Sequence, residues 1–88
     1  MQGINMPNAK KHKIRLIGSG TDKVLCKVNG VRGKNYQIFV FTIDCKLVTH
    51  TSIRNGEMTT LNNLSKGNYM VEVLLDDEKV DSVQLTIK

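Results

Sequence analysis

Apolar and polar residues alternate along most of the chain, most clearly between Asn68 and Leu75. There Tyr69, Val71, Val73 and Leu75 alternate with Asn68, Met70, Glu72 and Leu74. Successive side chains of a strand point to opposite faces, so this period predicts a strand whose odd-numbered face is buried. Leu61 and Leu64 stand before it as apolar anchors. Ser65-Lys66-Gly67 predicts a tight reversal, in which Gly67 can take the positive φ that a side chain resists.

The same reading places six further strands. His12 to Ile17 predicts a first strand, with Ile14 and Leu16 on one face, broken by Gly18-Ser19-Gly20. Thr21 to Val28 predicts a second, with Val24, Cys26 and Val28 inward and Lys23 and Lys27 outward. Asn29-Gly30 is a turn pair, followed by Gly33. Asn35 to Ile43 is apolar on both faces, with Ile38 and Val40 on one and Phe39, Phe41 and Ile43 on the other. Such a strand belongs in the middle of a sheet, or offers one face to a partner. Asp44-Cys45 turns the chain into Lys46 to Ile53. Arg54-Asn55-Gly56 turns it again into Glu57 to Leu61. After the strand from Asn68, a charged loop at Asp76-Asp77-Glu78 leads into Lys79 to Ile87, with Val83, Leu85 and Ile87 on one face.

Seven short strands separated by turn signals, with no persistent 3.6-residue period, predict an all-β protein. The expected architecture is an antiparallel β-sandwich of the immunoglobulin/fibronectin III type. In such sandwiches a tyrosine near the start of the sixth strand bonds back to upstream backbone. Gly67 and Tyr69 are the predicted structural corner. Antibody domains put a cysteine two residues after that tyrosine and a tryptophan on the third strand. Here Val71 takes the cysteine position and the chain has no tryptophan, so an antibody-type domain is disfavoured. Residues 1–11 lack periodicity and read as a flexible N-terminal arm, leaving residues 12–88 as a single domain.

Charge adds one feature. The net charge of +5 is concentrated in the first half: residues 1–44 carry eight Lys/Arg against two Asp, residues 45–88 five against six Asp/Glu. Lys10, Lys11, Lys13 and Arg15 are the candidate anion contacts, for nucleic acid or a glycan. A basic surface that simply keeps a small protein soluble is the plainer expectation. Cys26, between Val24 and Val28, reads as a small core residue, and Cys45 as an exposed turn residue. A bridge between them is disfavoured by their different locations. No apolar run is long enough for a transmembrane helix, so membrane insertion is not expected, and no signal peptide is visible.

Candidate chemistry is sparse. His12 and His50 lack a surrounding motif and read as surface side chains. Cys45 and His50 do not make up the four ligands of a structural zinc site. Asp76, Asp77, Glu78 and Asp81 have the charge of a calcium loop without its alternating ligands. The glycines form no phosphate loop, and Asn63-Leu64-Ser65 is a short glycosylation sequon. The expectation is a protein that is not an enzyme, with no catalytic residues, no metal and no cofactor.

From Tyr36 onward the pieces YQIFVFTIDCKLV, MTTLNNLSKGNYMVEVLLDDEKV and SVQLTIK stand in a recognisable order. Over residues 36–88 the chain resembles the C-terminal sorting domains of type IX secretion cargo from Bacteroidetes. It is also similar to small secreted immunoglobulin-like domains of those bacteria. The hairpin glycine usual after the third strand is replaced here by Asp44-Cys45-Lys46-Leu47. The resemblance implies a secreted, cell-surface or periplasmic location. It implies an interaction module whose partner is a protein of the secretion machinery or the cell surface. The implied sorting contacts are Leu85, Ile87 and Lys88. Oligomeric state is left open.

Overall fold

The computed structural model describes residues 12–18, 23–62 and 64–88. The expected arm, with Lys10 and Lys11, the Ser19-Gly20 break, the start of the expected second strand and Asn63 of the sequon lie outside the described residues. The chain is all-β. Its strands are β1 (Lys13–Ile17), β2 (Val24–Asn29), β3 (Asn35–Thr42), β4 (Leu47–Arg54), β5 (Met58–Leu61), β6 (Gly67–Leu75) and β7 (Glu78–Ile87). They form a three-stranded sheet in the order β1-β2-β5 and a four-stranded sheet in the order β4-β3-β6-β7, every pairing antiparallel.

The sheets pack face to face, because each strand turns apolar side chains toward the other sheet. Ile14, Val24, Cys26, Val28 and Leu61 come from the smaller sheet. Tyr36, Ile38, Val40, Ile53, Tyr69, Val71, Val73, Leu85 and Ile87 come from the larger, and Leu64 plugs the β5–β6 connection. β3 and β6 are the two inner strands of the larger sheet.

Two connections and one strand differ from the expectation. Asn29-Gly30 is not a hairpin turn: β2 and β3 lie in different sheets, so the link crosses the sandwich. Gly30 is needed there for close packing, since a Cβ on it would lie 2.2 Å from the Tyr36 hydroxyl. The charged loop is shorter than three residues. Leu75 already pairs with Glu78, leaving Asp76 and Asp77 at the turn with φ of 53° and 67°. Two successive positive φ values match the right-handed twist of a two-residue hairpin, and aspartate is among the few side chains that tolerate them. Finally, β4 carries a bulge. Val40 pairs with Thr49 but Phe41 with Leu47, so Val48 is an extra residue.

The corner residues make a defined contact. Gly67 has φ +149°, and the Tyr69 hydroxyl donates to the Ser65 carbonyl at 2.6 Å. A second tyrosine, not singled out from the sequence, is buried more deeply. Tyr36 is fully enclosed, and its hydroxyl accepts the Val31 amide at 2.7 Å. His12, expected at the surface, is half-buried. Its Nδ1 lies 3.0 Å from the same hydroxyl, with the two rings edge to face. A buried phenol that accepts one backbone amide still has a hydrogen to donate, and this imidazole nitrogen is placed to take it.

Candidate functional site

The solvent face of the four-stranded sheet is where the structure departs most from what folding alone requires. The inward row of β3 is Tyr36, Ile38 and Val40, all fully buried. Gln37, Phe39 and Phe41 therefore point outward. The register sets their neighbours: Gln37 lies between Ser52 and Leu74, Phe39 between His50 and Glu72, and Phe41 between Leu47 and Met70.

The aromatic side chains of this face are packed together. The Phe39 and His50 ring centroids are 4.4 Å apart with planes inclined by 20°. The Phe39 and Phe41 centroids are 6.2 Å apart with planes inclined by only 14°. Polar contacts fix the edges of the cluster. His50 Nε2 and Ser52 Oγ both reach Gln37 Oε1, at 2.5 and 3.2 Å. On the far side Ser82 Oγ donates to Met70 Sδ at 3.1 Å, and Lys79 Nζ stands 3.8 Å from Glu72. Both side chains of that ion pair reach solvent, so it contributes little to stability.

A groove of about 290 Å³ opens beside Phe41, lined also by Thr42, Ile43, Cys45, Met70 and Glu72. Ile43 on its rim is 71% accessible, and Leu47, the cross-strand neighbour of Phe41, is 54% accessible. The β3–β4 turn that forms the rim is stiff. Thr42 Oγ1 donates to Asp44, the Lys46 amide donates back to Thr42 Oγ1, and Cys45 sits at φ 69°.

The opposite face of the sandwich is different in character. On the smaller sheet Arg15 pairs with Lys27 and Lys13 with Asn29, and Lys13 and Arg15 are exposed. Ile17, Leu25 and Met58 are exposed on the same side. Two of the four residues expected to contact anions are thus set beside Lys27, and the other two lie outside the described residues. Leu85 and Ile87, implied as sorting contacts, are core residues only 1% and 4% accessible, while Lys88 is exposed. Contact through Leu85 or Ile87 requires β7 to leave its sheet.

The acidic residues near the last hairpin do not converge. Asp76 and Asp77 are exposed at the turn, whereas Asp81 is turned into the core. Among the described residues, no three His, Cys, Asp or Glu side chains come close enough to hold a metal. No described helix is long and apolar enough to cross a membrane. Comparison with protein-family models, curated proteins and solved structures finds no match to this chain.

The sequence pointed to Phe39 and Phe41 as sharing a face, but not to His50 as their neighbour. The reason is the bulge at Val48. Counting back from the Phe41–Leu47 pair without it puts Ile38 opposite His50 and turns the imidazole inward. The extra residue moves His50 opposite Phe39 and turns it out.

Proposed function

We propose that the chain is a non-catalytic recognition module of the immunoglobulin/fibronectin III type, working through the solvent face of its four-stranded sheet. The observation that carries this is the Phe39–Phe41–His50 cluster beside the apolar groove. The core is filled from the other side of β3, so folding alone does not call for these rings. Aromatic residues clustered on an accessible face are what protein interfaces are enriched in.

Two features support the fold type. The two antiparallel sheets pack face to face as in such sandwiches, and Tyr69 makes the backward bond of a tyrosine corner. The resemblance over residues 36–88 adds a role in secretion sorting or at the cell surface, with a protein of the secretion machinery or a surface protein as partner.

The test is export of a reporter fused ahead of this chain in a bacterium with type IX secretion. Phe39→Ser/Phe41→Ser is expected to cut export several-fold while circular dichroism remains that of the folded chain. Undiminished export by that folded variant sinks the sorting role of this face.

One observation favours a second reading, a binder of an anionic polymer. Pairing in the smaller sheet brings Lys13, Arg15 and Lys27 to one surface. In this reading Lys13→Ala/Arg15→Ala/Lys27→Ala abolishes retention on heparin or nucleic acid, and retention depends on sugar or base identity. Retention that merely vanishes by about 0.3 M salt, whatever the polymer, indicates general electrostatics.

A further inference from the structure

A sandwich of two open sheets has four edge strands: here β1, β5, β4 and β7. Unpaired edges invite other strands, and proteins blunt them with charge, brevity or cover. Three of these edges are blunted. β1 carries Lys13 and Arg15, and the Asp81 carboxylate occupies its Ile14 amide. β5 is only four residues long. β7 carries Glu78, Lys79 and an inward-pointing Asp81. Among the described residues β4 is the edge left open: from Leu47 to Ile53 it has no Asp, Glu, Lys, Arg or Pro, and its one charge is Arg54 at the end. Its one irregularity, the bulge at Val48, lies at the turn end and leaves Thr49–Arg54 in regular register.

The hydrogen-bond pattern shows which groups that edge offers. The Asn55 amide donates to the Lys34 carbonyl at 2.9 Å, so Lys34 and Asn55 form a bonded pair. In an antiparallel ladder bonded and non-bonded pairs alternate. Ile53, Thr51 and Thr49 therefore direct their backbone groups at β3, and Ser52 and His50 direct theirs away from the sheet.

We propose that β4 pairs antiparallel with β4 of a second copy, about a two-fold axis through Thr51, joining the larger sheets into one. In this register His50 of each copy exchanges both backbone hydrogen bonds with Ser52 of the other, and Thr51 faces Thr51 across the axis. The occupant is a second copy because the strand is self-complementary under that rotation. His50 meets Ser52, Thr49 meets Ile53, and no like charges oppose each other. The one cation, Arg54, comes beside the second copy's Val48, which is 42% accessible and covers its aliphatic stem. The pairing leaves Phe39 and Phe41 uncovered and sets two such faces side by side. It is independent of what those faces bind.

The test uses sedimentation equilibrium of the full chain together with disulfide trapping. The wild type is expected to move from one to two chains in mass as concentration rises through the micromolar range. In a Cys45→Ser background, Thr51→Cys is expected to form a covalent dimer on mild oxidation. Cα atoms of facing non-bonded pairs are about 4.5 Å apart, within the disulfide range. Ser52→Pro removes an amide that the register turns away from β3, and is expected to weaken dimerisation about ten-fold or more. Thr51→Lys serves the same purpose should the proline variant fail to fold. A chain that stays monomeric at every concentration overturns the proposal. So does a dimer that neither cross-links through Thr51→Cys nor responds to the edge variants, since it uses another surface.

Discussion

The Asp81 carboxylate accepts the backbone amide of Ile14 at 2.8 Å, joining the last strand of one sheet to the first strand of the other. Both groups are buried, and Asp81 is only 6% accessible. The amide lies on an edge strand whose other side pairs with β2, and a buried amide without a partner carries a desolvation cost. Asp81→Ala is therefore expected to destabilise the chain by about 1–3 kcal/mol. Urea unfolding measures the loss, and hydrogen exchange locates it, with the Ile14 amide accelerated more than those of β3 or β6. An unchanged exchange rate at Ile14 contradicts this role.

Gly30 and Tyr36 are coupled by contact. A Cβ at Gly30 would sit 2.2 Å from the Tyr36 hydroxyl oxygen and 2.9 Å from the ring carbon that bears it. Gly30→Ala must displace a fully buried ring, and overpacking of that kind costs about 1–3 kcal/mol. Tyr36→Phe costs stability for a different reason, because the Val31 amide and His12 Nδ1 both lose their partner, two hydrogen bonds worth about 0.5–1.5 kcal/mol each. The double variant is expected to be more stable than the sum of the two losses, since removing the hydroxyl removes the worse clash. The ring carbon remains close, so recovery is partial. A double-mutant cycle by chemical denaturation measures the coupling, and strict additivity refutes it.

The fold was largely legible because period-two alternation, turn residues and the Gly67–Tyr69 spacing all agree locally. Every core position of β2 and β6 follows from alternation alone. What the sequence hid are contacts between residues far apart in the chain. Asp81 reads as one more charge near a hairpin tip, because nothing around it announces that it meets an amide 67 positions earlier. Tyr36 reads as a generic aromatic, because its partners His12 and Gly30 come from other parts of the chain. The candidate site was half visible. Phe39 and Phe41 share a face by parity, whereas His50 joins them only through a one-residue bulge that no side chain in β4 foretells.

Tyr69→Phe isolates the corner bond. The hydroxyl donates to the Ser65 carbonyl over four residues, while the ring remains in the core. Phenylalanine keeps the packing and loses one hydrogen bond, which is worth about 0.5–1.5 kcal/mol. The loss is expected to be smaller than that of Tyr36→Phe. The Tyr69 hydroxyl serves one partner, whereas the Tyr36 hydroxyl serves two, the Val31 amide and His12 Nδ1. Thermal unfolding of the two variants checks the order, and a larger loss at Tyr69 reverses the argument.

The two cysteines are expected to react at very different rates. Cys45 stands exposed at the β3–β4 turn, while Cys26 is fully enclosed between the sheets. Burial disfavours the thiolate and pushes the Cys26 thiol from its ordinary value of 9.0 up to about 11. The thiolate is the nucleophile, so the folded chain should take up one equivalent of an alkylating reagent at neutral pH, at Cys45, and the second only on unfolding. The same shift gives a pH dependence of definite sign. Below the ordinary value both states hold the proton, and Cys26 contributes no slope. As pH rises from about 9 to about 11, the unfolded chain releases that proton while the folded chain keeps it, so stability falls across this window. Cys26→Ala removes this alkaline slope and leaves a small cavity, lowering stability at neutral pH. Denaturation midpoints of the two proteins compared from neutral to strongly alkaline pH should therefore converge as pH climbs. A constant gap rules out this thiol as the source of the slope.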